Sequence, residues 1–150
     1  MNRSAMLEQV LTVEEAYREG LQILERSQLC LVGSNNGQGY PQIKAMFKLT
    51  HEGLTRVWFS TNTASERVTQ FLRDPKAAVY FYDEQYFKGL LLTGEMQVLQ
   101  DSATKTRFWV EGSELYYPLG VDDPDYSVLQ FSAKSANYYN RLQNVTFAVG

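Results

Sequence analysis

The sequence has few of the residues that metal or hydrolytic centres need. Its 150 residues include one cysteine, Cys30, and one histidine, His51. One cysteine excludes an internal disulfide framework and a cysteine-rich zinc site. His51 stands in "HEG", a stretch typical of a turn, and no nucleophile-elbow motif accompanies it, so a Ser-His-Asp arrangement is not indicated. We therefore expect neither a metal site nor a hydrolytic triad.

Positive charge and long apolar runs are also scarce. Lys and Arg number 14 against 17 Asp and Glu, a net charge of −3, which argues against a nucleic-acid partner. The longest apolar run, "AAVYFY" at residues 77–82, is far too short to span a membrane. The opening "MNRSAMLEQVL" lacks the pattern of a cleavable leader. Together with the single cysteine, these absences predict a cytoplasmic protein without a membrane partner.

Most of the chain consists of short apolar segments separated by turns. The length predicts a single domain over residues 1–150, and Thr12 with Glu15 makes a capping box for an N-terminal helix at about 12–27. β-type runs follow at residues 29–34, 41–50 and 55–61, with "NNGQG" (35–39) as a hairpin turn between the first two. The pattern predicts an antiparallel meander.

The second half of the chain continues in the same style. Helical patterns occupy residues 64–73 and 101–112, and strands are indicated at 77–82, 87–99, 127–139 and 145–149, with Gly94 as a bulge or close approach. Six or seven antiparallel strands with three inserted helices predict a mainly β fold, a barrel. The acidic "DDPD" (122–125) lacks the spacing of a calcium loop and indicates a turn.

The stretch "WFSTNTASERVTQFLRDP" (58–75) concentrates hydroxyls where a strand passes into a helix. The first turn of a helix offers free N–H groups and a partial positive charge, and an arginine such as Arg67 can grip a phosphate with two hydrogen bonds. The alternative is ordinary helix capping by Thr63 or Ser65 beside a surface arginine. If residues 41–50 and 55–61 pair, Lys44 approaches Thr61 and adds a second cation. That convergence favours a phosphate site.

These features resemble the FMN-binding split-barrel superfamily, the pyridoxamine 5′-phosphate oxidase-like proteins, and within it the general stress protein and nitroimidazole reductase-like branches. The resemblance covers residues 29–139 and rests on Lys44, on Thr61-Asn62 and on the "SER" tripeptide at residues 65–67. It implies a homodimeric six-stranded antiparallel split β-barrel with FMN at the interface. It further implies that FMN is held by seven residues: Lys44, Ala45, Met46, Ser60, Thr61, Ser65 and Arg67.

Lys44 and Arg67 depart from the family pattern, which has arginine at the first position and lysine at the second. The charge is kept while the hydrogen-bonding geometry changes. The family's true oxidases also carry a basic C-terminal segment without a counterpart before Gly150, so pyridoxamine phosphate oxidation itself is not expected. We expect a flavin-dependent reductase of a small molecule, in which the flavin carries the redox chemistry and no side chain is assigned as catalytic.

Other functions remain open at the level of sequence. One is a non-catalytic flavin-binding or stress-related protein, and another is a split barrel that binds haem or a deazaflavin. Haem would require an axial ligand such as His51. The aromatic residues Trp109, Tyr116 and Tyr117 could line a substrate pocket across the dimer or form its core.

Overall fold

The computed structural model describes residues 10–150 of the chain. Residues 1–9 lie outside the described residues. They make up most of the opening stretch, residues 1–11, from which the absence of a leader was expected. Within the described range the fold comprises three α-helices, seven β-strands and two short 3-10 turns. In chain order these are α1 (Val13–Arg26), β1 (Leu29–Asn35), β2 (Pro41–Glu52), β3 (Arg56–Asn62), α2 (Glu66–Arg73), β4 (Lys76–Asp83), β5 (Lys88–Leu99), α3 (Ser102–Phe108), the turns Ser113–Leu115 and Gly120–Asp122, β6 (Tyr126–Asn140) and β7 (Gln143–Ala148).

The strands form one antiparallel sheet in the order β3-β2-β1-β4-β5-β6-β7. An additional pairing of β3 with β6 closes the first six strands into a barrel, and β7 extends the sheet from β6. The predicted six-stranded antiparallel barrel with inserted helices is therefore confirmed. The β3–β6 pairing removes the strand edges that an open sheet would expose, except where β2 and β3 separate.

The barrel opens between β2 and β3. These strands pair only from Lys48, opposite Phe59, to Glu52, opposite Arg56, with a shift in register after Lys48. Beyond that point β2 remains paired with β1 as far as Pro41, while β3 follows β6 as far as Asn62. One end of the barrel is thus split, and α2 begins at this end, directly after β3.

Glycines permit the sharp turns and close approaches that the sequence indicated. Gly37 and Gly39, with φ of 81° and 88°, form the turn between β1 and β2. The register of β5 with β6 shifts between Thr93 and Gly94, where a Cβ on Gly94 would overlap the carbonyl oxygen of Ser132. The hairpin at residues 35–39 and the special role of Gly94 are both confirmed.

The buried apolar residues between positions 10 and 150 form two clusters. The larger lies inside the barrel, and α1 and Phe71 of α2 pack into it. The smaller lies outside β3 and β6, where Trp58, Phe108, Tyr117 and Tyr126 are buried and Trp109 packs against them. Within residues 10–150, no helix combines the length and apolar character that crossing a membrane requires.

Several element boundaries differ from the sequence-based expectation. The second helix begins at Glu66 rather than at residue 64, and the third spans Ser102–Phe108 rather than 101–112. The assignment of "HEG" to a turn was wrong for His51 and Glu52. Both still pair with β3, opposite Val57 and Arg56, so β2 continues to Glu52. Cross-strand pairing decided this boundary, and the local sequence carries no signal for it.

Candidate functional site

The hydroxyls of Thr61 and Ser65 meet at the start of α2. Ser65 is the N-cap, since its Oγ accepts the N–H of Val68 at 3.3 Å. Thr61 Oγ1 lies 3.3 Å from the same Ser65 oxygen, and both residues are only 8% exposed. The N–H groups of the first helical turn and these hydroxyls therefore form one group of potential donors, as expected where an anion binds.

Thr63 is not the helix cap, although the sequence allowed either Thr63 or Ser65 in that position. Its N–H donates to the carbonyl of Asp125 at 2.6 Å. Its hydroxyl donates to the carbonyl of Pro124 at 2.8 Å and lies 2.6 Å from Ser127 Oγ. Thr63 consequently fastens the start of α2 to the loop before β6, and Ser65 alone caps the helix.

Lys44 lies on the part of β2 that has separated from β3. It stands directly opposite Val32, which is fully buried in the barrel, so its side chain projects from the inner face of the sheet. The sequence predicted that Lys44 would approach Thr61 because β2 and β3 were expected to pair along their length. In the structure they pair only over residues Lys48–Glu52 of β2. Continuing its register would bring Met46, not Lys44, opposite Thr61. The ladder itself therefore leaves Lys44 unpaired with β3.

Arg67 supplies the second positive charge, in the first turn of α2. Its side chain is half-buried, whereas Lys44 is exposed. Among the described residues, neither Lys44 nor Arg67 takes part in an ion pair. In a chain of net charge −3, two cations without carboxylate partners at one end of the barrel are suited to attract an anion.

The other predicted contact residues lie on both faces of the sheet. Met46 is buried and stands opposite Cys30 on the inner face, whereas Ala45 is exposed and points outward, opposite Leu31. Ser60 alternates with Thr61 and therefore lies on the outer face of β3, opposite Val128. The structure thus groups Thr61, Ser65 and Arg67 at the helix start and sets Ser60 apart from their side chains.

Lys48, the next lysine on the inner face of β2, is already engaged. Its ammonium donates to the carbonyl of Leu24 in the last turn of α1. Burial lowers the pKa of Lys48, and the nearby Cys30 and Glu25 partly oppose that shift. Burial also raises the pKa of the Cys30 thiol to about 12, so the thiol stays protonated at neutral pH. Lys48 therefore already has a hydrogen-bond partner on α1, and Cys30 is not a thiolate at neutral pH.

His51 lies near the end of β2, well separated from Lys44. It is seven residues beyond Lys44, about 23 Å along an extended strand, and its Nδ1 lies 3.1 Å from the Gly53 carbonyl. Residues 10–150 contain no cluster of His, Cys, Asp and Glu side chains that could hold a metal ion. Of the three aromatic residues considered for a pocket, Trp109 and Tyr117 pack within the smaller apolar cluster, and Tyr116 is exposed.

One polar contact behind the helix start was not anticipated. The Ser34 hydroxyl, near the end of β1, donates to Gln70 Oε1 on α2, and both residues are buried. Gln70 stands between Val68 and Phe71 in a helix whose other buried residues are apolar, as its pattern predicts. A glutamine in that pattern is a weak signal of a buried contact, and the identity of its partner cannot be derived from sequence.

Comparisons with known proteins agree with this fold. The family model for "Pyridoxamine 5'-phosphate oxidase like" matches residues 15–149. A solved structure of a protein from Clostridium acetobutylicum, related to general stress protein 26 of Bacillus subtilis, is 43% identical with a TM-score of 0.84. The match covers 92% of this chain and 97% of that one. A search of curated protein sequences returned no match.

More distant structures share the fold alone. A NimC/NimA family protein from Clostridium acetobutylicum is 20% identical with a TM-score of 0.68, over 91% of this chain and 98% of that chain. A heme binding protein from Mycobacterium smegmatis is 13% identical with a TM-score of 0.74, over 92% of this chain and 60% of that chain. The family model and the 43% identical relative both span almost the whole fold. This chain therefore belongs to the pyridoxamine 5′-phosphate oxidase-like family.

Proposed function

We propose that this protein binds FMN at the split end of its barrel and acts as a flavin-dependent reductase of a small molecule. The observation that carries the proposal is the hydroxyl pair of Thr61 and Ser65 at the start of α2, beside Arg67. Hydroxyls, helix N–H groups and a cation without a carboxylate partner suit a phosphate. Lys44, on the inner face of the neighbouring strand, supplies further positive charge.

The donor set fits the parts of FMN unequally. In the proposal, Lys44, Thr61, Ser65 and Arg67 hold the phosphate, Ser60 contacts the ribityl chain, and the backbone at Ala45 and Met46 lies beside the ring. Ser60 has the weakest support, because its side chain is on the opposite face of β3 from Thr61. Bound FMN would supply two-electron redox chemistry. The protein's own residues would bind, orient and shield it, and none of them is assigned a catalytic role.

A homodimer completes the proposal. The outer face of β1, β2 and β4 exposes a group of large apolar side chains, namely Leu29, Ile43, Phe47, Tyr80 and Tyr82, which are 36–73% exposed. Phe47 lies opposite Leu29, and Leu31 lies between Ala45 and Tyr80, so these residues form one continuous patch, here called the outer apolar face. A patch of this kind is typical of an interface between subunits. A second copy packed there would also cover the outward side of Ala45.

Alternative functions use the same fold differently. A flavin store or stress-related protein would share the FMN site without reducing a substrate, and the relative related to general stress protein 26 supports this alternative as much as a reductase. A split barrel that binds haem or a deazaflavin is the other alternative, since one neighbour is described as heme binding. His51, at the far end of β2, offers such a haem no link to the phosphate site.

The deciding experiment is direct. Purified protein is mixed with FMN, with haem or with a deazaflavin, passed through gel filtration, and examined for the absorbance of the bound ligand. Retained FMN supports the proposal, and retained haem with no FMN contradicts it.

Anaerobic addition of NADH or NADPH to the FMN complex then separates a reductase from a store. Loss of the flavin colour indicates a reductase, and an unchanged oxidised spectrum indicates a store. The proposal also keeps the cytoplasmic location that the sequence predicted from its single cysteine, its opening residues and its short apolar runs.

A further inference from the structure

The contact between Ser34 and Gln70 fastens α2 to the barrel behind the proposed phosphate site. Ser34 is 4% exposed and Gln70 is 8% exposed. A hydroxyl or amide removed from water is costly unless it is hydrogen-bonded, and here the Ser34 hydroxyl donates to Gln70 Oε1. Such a pair favours one placement of the helix, because a shift of α2 along the barrel would leave both groups without that bond.

This pair also spans the split in the barrel. Lys44 belongs to the β1–β2 ladder, and Thr61, which leads into α2, belongs to the β3–β6 ladder. Ser34 follows Val32 by two residues on the same face of β1, and Val32 is the residue directly opposite Lys44. The Ser34–Gln70 contact therefore joins α2 to the strand pair that carries Lys44, at the end where the sheet itself no longer joins them.

The same short helix presents two of the four proposed phosphate ligands, Arg67 in its first turn and Ser65 at its N-cap. Arg67 and Gln70 are three residues apart and so are neighbours on the surface of α2, and Ser65 caps that helix. We propose that Ser34 and Gln70 are a positioning pair that sets the placement of Arg67 and Ser65 relative to Lys44. The inference rests on the proposed function, since the three groups converge usefully only if a phosphate lies between them.

Apolar packing already explains why α2 docks at all. Val68 and Phe71 are each only 3% exposed, and Phe71 belongs to the main core. Gln70→Met would keep most of the volume at its position, so α2 should still dock while its exact placement loses the polar contact. A second polar contact joins Asn35 Nδ2, at the end of β1, to Asp74 Oδ2, at the C-cap of α2, at 3.1 Å; it is exposed and provides a matched control.

The test compares FMN with riboflavin, which has the same ring system and no phosphate. Dissociation constants for both are measured for the wild-type protein, Gln70→Met, Ser34→Ala and the control Asn35→Ala, together with the thermal midpoint of each protein without flavin. We expect Gln70→Met and Ser34→Ala to weaken FMN binding by about fivefold or more and riboflavin binding by less than about twofold. Asn35→Ala should leave the ratio of the two constants at its wild-type value.

A purely structural contact would lower the thermal midpoint and leave the ratio of FMN to riboflavin affinity unchanged, and this result would overturn the inference. If Gln70→Met does not fold, Ser34→Ala, the smaller change, decides the question by the same ratio. Wild-type protein that binds neither flavin would overturn the proposed function and the inference together. Wild-type protein that binds FMN, with variants of unchanged ratio, would overturn the inference alone.

Discussion

At the scale of single residues, Arg67 is the group on which retention of a phosphate should depend most. It stands half-buried in the first turn of α2 and forms no ion pair among the described residues. We expect Arg67→Ala to weaken FMN binding by about tenfold or more, because a charge-assisted hydrogen bond to phosphate is lost. Riboflavin binding should change little. Isothermal titration with each flavin provides the measurement.

Arg73→Ala is the matched control for Arg67→Ala. Both changes remove one positive charge from α2, but Arg73 is exposed in its last turn, at the end away from Ser65. The affinity of the Arg73→Ala variant for FMN should stay within about twofold of the wild-type value, because salt largely screens an exposed charge at the other end of the helix. Equal losses in the two variants would show that Arg67 acts only through net charge and holds no phosphate.

At the scale of elements, the N-terminus of α2 combines a structural and a binding role in Ser65, and two substitutions separate them. Ser65→Ala removes the cap of Val68 N–H and should lower the free energy of unfolding by about 1 kcal/mol. Ser65→Asp keeps a good N-cap and places a carboxylate beside Thr61. We expect the aspartate variant to be as stable as the wild-type protein and yet to bind FMN much more weakly, by repulsion of the phosphate.

Urea unfolding without flavin and FMN titration together check this pair of variants. The contrast matters more than either value: stability should be lost with alanine and kept with aspartate, while FMN affinity should fall in both. An aspartate variant that binds FMN as tightly as the wild-type protein would place the phosphate elsewhere.

Helices, strands and turns were easier to predict from the sequence than the contacts between distant elements. The turn at residues 35–39 and the bulge at Gly94 have a local cause, because glycine tolerates the backbone that each requires. The end of the β2–β3 ladder at Lys48 depends on the positions of β1 and β6, with which β2 and β3 stay paired beyond that point, and these pairings are non-local. The sequence predicted a helix start beside Thr61, Ser65 and Arg67 from local capping signals. It could not indicate the contact of Gln70 with Ser34, because the two residues are 36 positions apart.

At the scale of the whole molecule, the outer apolar face should hold two copies together. Phe47 and Ile43 are 72% and 73% exposed on the same face of β2, which is costly for a monomer in water. We expect Phe47→Glu to convert a dimer into a monomer, because the substitution places a charge inside the proposed interface. Light scattering coupled to gel filtration measures the mass directly.

Leu115→Glu is the control for the dimer prediction. Leu115 is 80% exposed on the 3-10 turn Ser113–Leu115, which is not part of the outer apolar face, and the substitution adds the same charge. This variant should remain dimeric. A wild-type protein that is monomeric at micromolar concentration would remove the outer apolar face from the proposal. FMN binding by that monomer would show that the site needs no second subunit.

The stability of the whole molecule should decline in alkaline solution. Burial raises the pKa of Cys30 from 9.0 to about 12 and that of Tyr126 from 10.0 to about 12, and it also raises the pKa values of Tyr117 and Tyr138. The unfolded chain releases these protons at the ordinary pKa values of the groups, whereas the folded chain retains them to a higher pH. The resulting stabilisation is complete below pH 9 and is lost as the pH rises through about 12. Burial lowers the pKa of Lys48, so this group makes the folded state more stable as the pH rises. It opposes the combined effect of Cys30 and the three tyrosines.

Tyr126→Phe tests the cause of that decline. The substitution keeps the ring against Trp109 and Tyr117 but removes a titrating hydroxyl, which donates to the Lys105 carbonyl at 3.2 Å. At pH 8 the variant should be less stable by about 1 kcal/mol, the contribution of one hydrogen bond. Between pH 10 and about 12 its free energy of unfolding should fall less steeply than that of the wild-type protein, because one proton fewer is released on unfolding. Urea unfolding at a series of pH values gives both slopes, and parallel curves would show that Tyr126 does not contribute to the alkaline transition.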